Sequence, residues 1–259
     1  MKKGISFGLL ALCLAMNVNG LSAATWGDLK IQFLLDGKPQ VAPPLKADKD
    51  PAVCAVKPIP DEKLLVGPTG GIENVIVFLV PEKGSKLEIH PDYEKEKTSA
   101  VELDNKACKF TPHVALVRTG QVLKLKNSDP VGHNSKLDFT ANLPQNPIIP
   151  GSATIEVKDL TKAEKRATPV SCSIHPWMSA WVLVQDHPYM AKSNADGEVV
   201  LKNVPAGSFT FQVWHEDLGN ISDKNAVDAA GKAVTWSKGK AALTIKAGMN
   251  DLGTIKVKK

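Results

Sequence analysis

Short runs of alternating apolar and polar residues recur along the chain, punctuated by turn-forming residues. Leu29-Lys-Ile-Gln-Phe33 puts every second residue on one face and stops at Asp36-Gly37, the period of a half-buried strand followed by a turn. Val75-Ile-Val-Phe-Leu-Val80 is apolar throughout and ends at Pro81, as a strand covered on both faces would be. In the middle of the chain Ala115-Leu-Val117, Val122-Leu-Lys-Leu-Lys126, Ala153-Thr-Ile-Glu-Val157 and Trp181-Val-Leu-Val184 read as strands, with Gly120 and Asn127-Ser-Asp-Pro130 as turns. Beyond His187-Pro188, the turns Asn194-Ala-Asp-Gly197 and Val204-Pro-Ala-Gly207 frame a strand from Glu198 to Leu201. Phe209-Thr-Phe-Gln-Val213 alternates, and Leu243-Thr-Ile245 and Leu252 to Val257 complete the unit. Helical signals are sparse, the best being Asp159-Leu-Thr-Lys-Ala-Glu-Lys-Arg166, a short helix or a charged loop. Pro43 to Pro68, rich in proline and charge, reads as an ordered loop tied down through Cys54. The pattern predicts an all-β protein.

The first residues change the picture of where the chain works. Met1-Lys2-Lys3, an apolar stretch from Phe7 to Met16 and Leu21-Ser-Ala-Ala24 have the layout of a secretory signal peptide, with cleavage after Ala24 or, alternatively, Ala23. The apolar stretch is too short to span a bilayer. The expected location is periplasmic or secreted, and Cys13 leaves with the signal. A lipoprotein reading would make Cys13 the new N-terminus, and the bulky Leu12 before it argues against that. No later segment has an apolar run of transmembrane length. The 259 residues accommodate one large or two modest domains. The formal charge is +5, and loss of Lys2 and Lys3 takes 32 bases to 30 against 27 acids, or +3. Lysines are interspersed with acids, as in Asp92 to Lys97 and Lys158 to Lys165, so no basic stripe for nucleic acid is expected.

Export places the remaining cysteines, Cys54, Cys108 and Cys172, where paired thiols persist as disulfides. The odd count leaves one thiol to explain. Cys172-Ser-Ile-His175-Pro-Trp-Met178 carries a thiolate, an imidazole and a thioether on one short loop, and His133 lies upstream at the end of a strand-and-turn segment. Two imidazoles and a thiolate in a plane, with a weak thioether on the axis, suit a centre that alternates between Cu(I) and Cu(II). The separation 172 − 133 = 39 leaves room for two strands and a return to the metal. We therefore expect one mononuclear copper site of His133, Cys172, His175 and Met178, and a disulfide between Cys54 and Cys108. Singly, Cys172 would read as a small buried hydrophobe, His133 as a turn residue and Met178 as a gap-filler, but their joint order and spacing favour the metal. His113, His187 and His215 lack zinc-type spacing and read as structural, His90 as a surface loop residue, and Trp177 and Trp181 as packing or partner-docking groups.

Enzymatic activity is not expected. Ser171 and Ser173 flank Cys172 where histidines would wire a blue site to further coppers, and the loop has no second cysteine for a dinuclear centre. A serine nucleophile elbow, a His-Glu-x-x-His pattern and a phosphate-binding glycine loop are all missing from the sequence.

Asn127-Ser-Asp-Pro-Val-Gly-His133-Asn134 followed by Cys172-x-x-His175-x-x-Met178 resembles the plastocyanin and amicyanin family of cupredoxins over roughly residues 99–186. The short ligand loop is amicyanin-like. The resemblance implies a Greek-key β-sandwich holding one type 1 copper, with electron transfer to a redox partner protein docking near a partly exposed His175. It also implies that Asn134 hydrogen-bonds near the Cys172 sulfur and that Pro176 shields the metal edge. The C-terminal grammar resembles the carboxypeptidase regulatory-like, or transthyretin-like, β-sandwich, and the strands at Leu29 and Val75 look like its opening strands. The expected layout is a signal peptide (1–24), an N-terminal β segment of the terminal sandwich (25–98), a cupredoxin domain (99–186) and a C-terminal sandwich segment (187–259). The cupredoxin unit is then set into the other sandwich; two consecutive domains would be simpler. The whole chain also resembles exported planctomycete-type proteins labelled methylamine-utilisation or plastocyanin-like, through Cys108-Lys-Phe-Thr-Pro-His113-Val, Asn127-Ser-Asp-Pro, His175-Pro-Trp-Met178, Asp186-His-Pro-Tyr189 and Trp214-His-Glu216. Three functions follow as expectations: electron transfer, periplasmic copper carriage or buffering, and surface binding of carbohydrate or protein with an auxiliary copper.

Overall fold

The computed structural model describes Met1, residues 25–40 and residues 42–259; apart from Met1, the expected signal peptide lies outside the described residues. The described residues form four sheets of four or five strands and one two-stranded sheet. In the first, Trp26–Leu35 lies between Glu198–Pro205, antiparallel, and Gly248–Val257, parallel, so strands from both ends of the chain share one sheet. Its alternation is real in space, because Leu29, Ile31 and Phe33 are fully buried while their neighbours are half exposed. The second sheet runs Met190–Lys192, Ile76–Val80, Gly207–His215, Gly219–Asn220, with Lys240–Ile245 also paired to Gly207–His215. Leu29, Phe33, Val77, Leu79, Phe211 and Val213 belong to the core between these two sheets, each fully buried large side chain contributing roughly 1.5–3 kcal/mol.

The third sheet runs Thr154–Val157, Leu123–Asn127, Val101–Lys106, Lys109–Thr111, and the fourth Val114–Arg118, Ser179–Gln185, Thr168–Ser171, Lys136–Leu137. Their shared core contains Leu103, Leu123, Leu125, Val170, Val182 and Val184. A third cluster joins the second sheet to the fourth: Ile76 and Phe78 meet Val114, Ala167 and Leu183, with Trp181 and Trp214 packed alongside. The continuous apolar run at Val75 to Val80 is thus explained. Val77 and Leu79 face one core, and Ile76 and Phe78 face the other.

The Pro43 to Pro68 region is an ordered strap. The Leu45 amide donates to the Ile59 carbonyl, Pro51–Cys54 forms a short helical turn, and Cys54 is bonded to Cys108. The segment Asp159 to Arg166 is a loop. Glu164 is buried there, and its carboxylate accepts from the Thr140, Ala141 and Asn142 amides and the Thr140 hydroxyl at 2.7–3.1 Å. That buried ring of donors overrides the weak helical pattern.

Candidate metal centre

Ser171 pairs with Ser179 across the Thr168–Ser171 and Ser179–Gln185 strands, so residues 172–178 form the hairpin loop between them. A turn bond from the Met178 amide to the His175 carbonyl, 3.0 Å, tightens the loop. His133 sits on the two-residue strand His133–Asn134, whose partner is Ile148–Ile149. The two pieces meet at one end of the core between the third and fourth sheets.

The Nδ1 atoms of His133 and His175 are 2.9 Å apart, and each is 3.9 Å from Cys172 Sγ. Every edge of this triangle is shorter than two metal–ligand bonds of about 2.0–2.3 Å, so a single cation can touch all three atoms. Cys172 is a free thiol, 1% exposed, and both imidazoles are fully buried. Met178 is buried on the same loop. Two imidazoles with one soft sulfur suit a soft or borderline metal ion, copper and zinc among them.

Each imidazole is fixed by a carboxylate on its far nitrogen. Asp129 Oδ2 is 3.0 Å from His133 Nε2, and Asp50 Oδ2 is 2.8 Å from His175 Nε2. Such pairs hold the ring orientation and direct Nδ1 at the metal position. Burial alone would lower the pKa of His133, but the bonds to Asp129 and Cys172 outweigh it and raise it to about 9. Burial pushes the Cys172 thiol up, yet His133 and the amides of Asn134, His175 and Ile174 more than offset it, and the net shift is downward. The surroundings therefore favour the charged form of both the sulfur and the His133 ring, and a cation placed between the same atoms would meet a sulfur already disposed to lose its proton. Burial also lowers His175, against the pull of Asp50.

The residues expected around the sulfur are placed as follows. The Asn134 amide donates to Cys172 Sγ at 3.4 Å, as does the His175 amide. Asn134 Oδ1 accepts from the amides of Ser173 and Ile174 at 2.7 and 3.2 Å, which stitches the two halves of the site together. Pro176 is exposed. The expectation of a partly exposed His175 is corrected: the ring is 0% exposed because the strap lays Asp50 across its Nε2 edge. Asp50 and Asp129 are the site residues that sequence reasoning missed. Asp129 had a signal in its turn run four residues before His133; Asp50 lies 125 residues from its partner.

Cys108 Sγ also converges with Asp129 and His133 within 4.8 Å, but that sulfur is committed to Cys54. Trp177 lies edge-on to His175, ring centres 5.1 Å apart, and donates its indole N–H to the Cys108 carbonyl. Trp181 points to the other face of its sheet, where its ring centre is 4.7 Å from that of Trp214. His113 Nε2 is 2.6 Å from Glu216, which with the Trp181–Trp214 contact links the two sandwiches, while His215 Nε2 donates to the Glu73 carbonyl within one of them. His187 donates to the Leu79 carbonyl and accepts from the Tyr189 amide. His90 accepts from the Asp92 amide at the start of a 3-10 turn.

No protein-family model matches the chain, and no curated protein does. Among solved structures, a copper-containing nitrite reductase from Thermus scotoductus SA-01 is 20% identical over 41% of this chain and 25% of its own, with a TM-score of 0.30. The match therefore spans a quarter of that enzyme's length. A methionine variant of amicyanin in its Cu(I) form is 18% identical over 33% of this chain and 82% of its own, TM-score 0.30. A purple cupredoxin from Nitrosopumilus maritimus is 20% identical over 34% of this chain and 99% of its own, TM-score 0.27. Each likeness takes in a minority of this chain, and the metal assignment rests on the donor atoms themselves.

Proposed function

We propose that this chain is an exported single-site copper protein of the blue type that carries one electron at a time between redox partners. The observation that carries the reading is the convergence of one reduced, buried thiol with two carboxylate-anchored imidazoles. His133, Cys172 and His175 would hold the ion, and Met178, buried on the same loop, would be the fourth donor. Copper bound there supplies one-electron chemistry. The protein's part is to keep the donors nearly still: Asp129 and Asp50 fix the rings, Asn134 and the His175 amide hold the sulfur, and the core excludes water. A redox partner docks beside buried His175, over exposed Pro176 and half-buried Trp177, through the small interface usual for redox pairs.

Periplasmic copper carriage is a second reading, and the sealed His175 edge favours it, since the imidazole through which an electron would pass to a docked partner is fully buried. The test of the copper site is an absorption spectrum of the full mature chain after Cu(II) addition, beside Cys172→Ser. An intense blue or violet band that the variant lacks is expected, with reversible bleaching on one-electron reduction if the chain is an electron carrier. A colourless wild type overturns the proposal; a coloured protein that resists redox cycling but passes copper to a chelator selects carriage.

A further inference from the structure

The strap over His175 is held in two ways. Its base is anchored in the core by Ile59, which is buried, and by the Leu45–Ile59 bond. Its tip is exposed at Lys46, Asp48, Lys49, Pro51 and Ala52; it rests on the core through partly buried Ala47 and Val53, and its two specific ties are the Cys54–Cys108 bond and the Asp50–His175 contact. These two tip attachments are mechanically one unit, because the Val53 and Cys54 amides both donate to the Asp50 carbonyl, at 2.9 Å, within a single helical turn. Asp50 stands at the N-cap of that turn yet makes no side-chain cap bond. Its carboxylate goes to His175 instead, and its backbone is left-handed, φ 48° and ψ 48°, a conformation that costs an L-residue about 1 kcal/mol. Such a conformation persists because the surroundings hold it. The Asp50 side chain is 41% exposed against 0% for His175, so the carboxylate lies between the Nε2 edge of the ligand and solvent, with Trp177 against the ring.

We propose that this strap is a reductively opened latch for handing on the metal, with Cys54–Cys108 as its catch; the proposal rests on the copper reading. Cys54 and Cys108 are 2% and 0% exposed, so attack follows a transient local opening of the strap tip. A dithiol then attacks one cystine sulfur to form a mixed disulfide, its second thiol resolves it, and the broken bond leaves the tip free to stay open. Two electrons and two protons pass to the Cys54 and Cys108 sulfurs, and the dithiol leaves as a cyclic disulfide. The tip then loses its covalent tie, Asp50 lifts from His175, and the ligand edge opens. The same step frees Cys108 Sγ within 4.8 Å of donor atoms on Asp129 and His133, placing a second soft donor at the back of the site. Loss of an outer partner of a metal-binding histidine weakens metal affinity by about tenfold to 100-fold, and the latch predicts acceleration of release in that range.

The test uses the full mature chain loaded with Cu(I) under anaerobic conditions, and follows transfer of copper to a bidentate Cu(I) chelator. A water-soluble phosphine serves as disulfide reductant because thiols themselves bind Cu(I). Phosphine is expected to speed transfer about tenfold or more. Asp50→Ala speeds it with the disulfide intact, and Cys54→Ser/Cys108→Ser is fast with or without phosphine. Hydrogen exchange of wild-type residues 50–56, with and without phosphine, reads the latch independently of the double variant's folding, and faster exchange after reduction is expected. Copper-binding wild type whose release and exchange are both indifferent to phosphine overturns the latch alone. Wild type that takes up no copper overturns the metal reading and the latch with it.

Discussion

Asp129 Oδ2 lies 3.0 Å from His133 Nε2 and 2.8 Å from the Cys108 amide, with Oδ1 2.7 Å from the Ala107 amide. One carboxylate therefore serves the ligand and the tight turn at 107–108, where Ala107 and Cys108 both have positive φ, 53° and 55°. Asp129→Asn keeps the shape but places an N–H where two acceptors are needed. It should lower copper affinity by about tenfold to 100-fold and stability by about 1–3 kcal/mol. Chelator competition and denaturant unfolding read the two effects separately.

Glu164 is the second buried carboxylate with a structural load. Glu164→Ala strands the Thr140, Ala141 and Asn142 amides, and each buried donor left unpaired costs roughly 1–3 kcal/mol. A loss of about 3 kcal/mol is expected in urea unfolding, with faster hydrogen exchange confined first to residues 140–142.

His187 makes stability depend on pH. Its Nδ1 accepts from the Tyr189 amide while Nε2 donates to the Leu79 carbonyl, so the neutral ring is satisfied and a second proton has no partner. Burial pushes its pKa down from 6.5 to about 4. Between those values the unfolded chain binds a proton that the native chain refuses. Stability is therefore full above pH 6.5, falls as the pH drops, and loses roughly 3 kcal/mol from this residue by about pH 4. His187→Gln should flatten that limb of the stability–pH curve; an unchanged slope would count against the assignment.

Trp214 and Trp181 face each other across the joint between the sandwiches, an arrangement worth about 0.5–1.5 kcal/mol beyond the area it buries. Trp214→Ala should weaken the joint more than either core. Calorimetry is expected to split one unfolding transition into two, and a single transition at the wild-type temperature would contradict this.

The all-β class was legible because alternation at Leu29 to Phe33 and Leu123 to Asn127 maps directly onto buried and half-exposed faces. The Cys54–Cys108 bond was legible from an odd thiol count and the position of Cys172 among metal-type donors. His133, Cys172 and His175 could be nominated because donor type and loop spacing are local properties, and the structure brings their donor atoms together. The strap's contact with His175 was not legible. Asp50 reaches His175 across 125 residues of chain, and in sequence it is one acid among several in a charged, proline-rich stretch. Nor could spacing show that His175 is sealed, because its burial depends on where the strap is pinned. Of the two readings of Asp159 to Arg166, the loop is the one found; the sequence could not decide between them because the amide donors that hold Glu164 lie 22–24 residues away at 140–142.

The central claim is that one sulfur and two imidazoles bind a single copper ion. Copper-edge X-ray absorption of the loaded protein tests it most directly. The account predicts one sulfur and two imidazole nitrogens bound to the metal, with the sulfur contribution gone in Cys172→Ser. A spectrum with only nitrogen and oxygen neighbours, the same in both proteins, would contradict it.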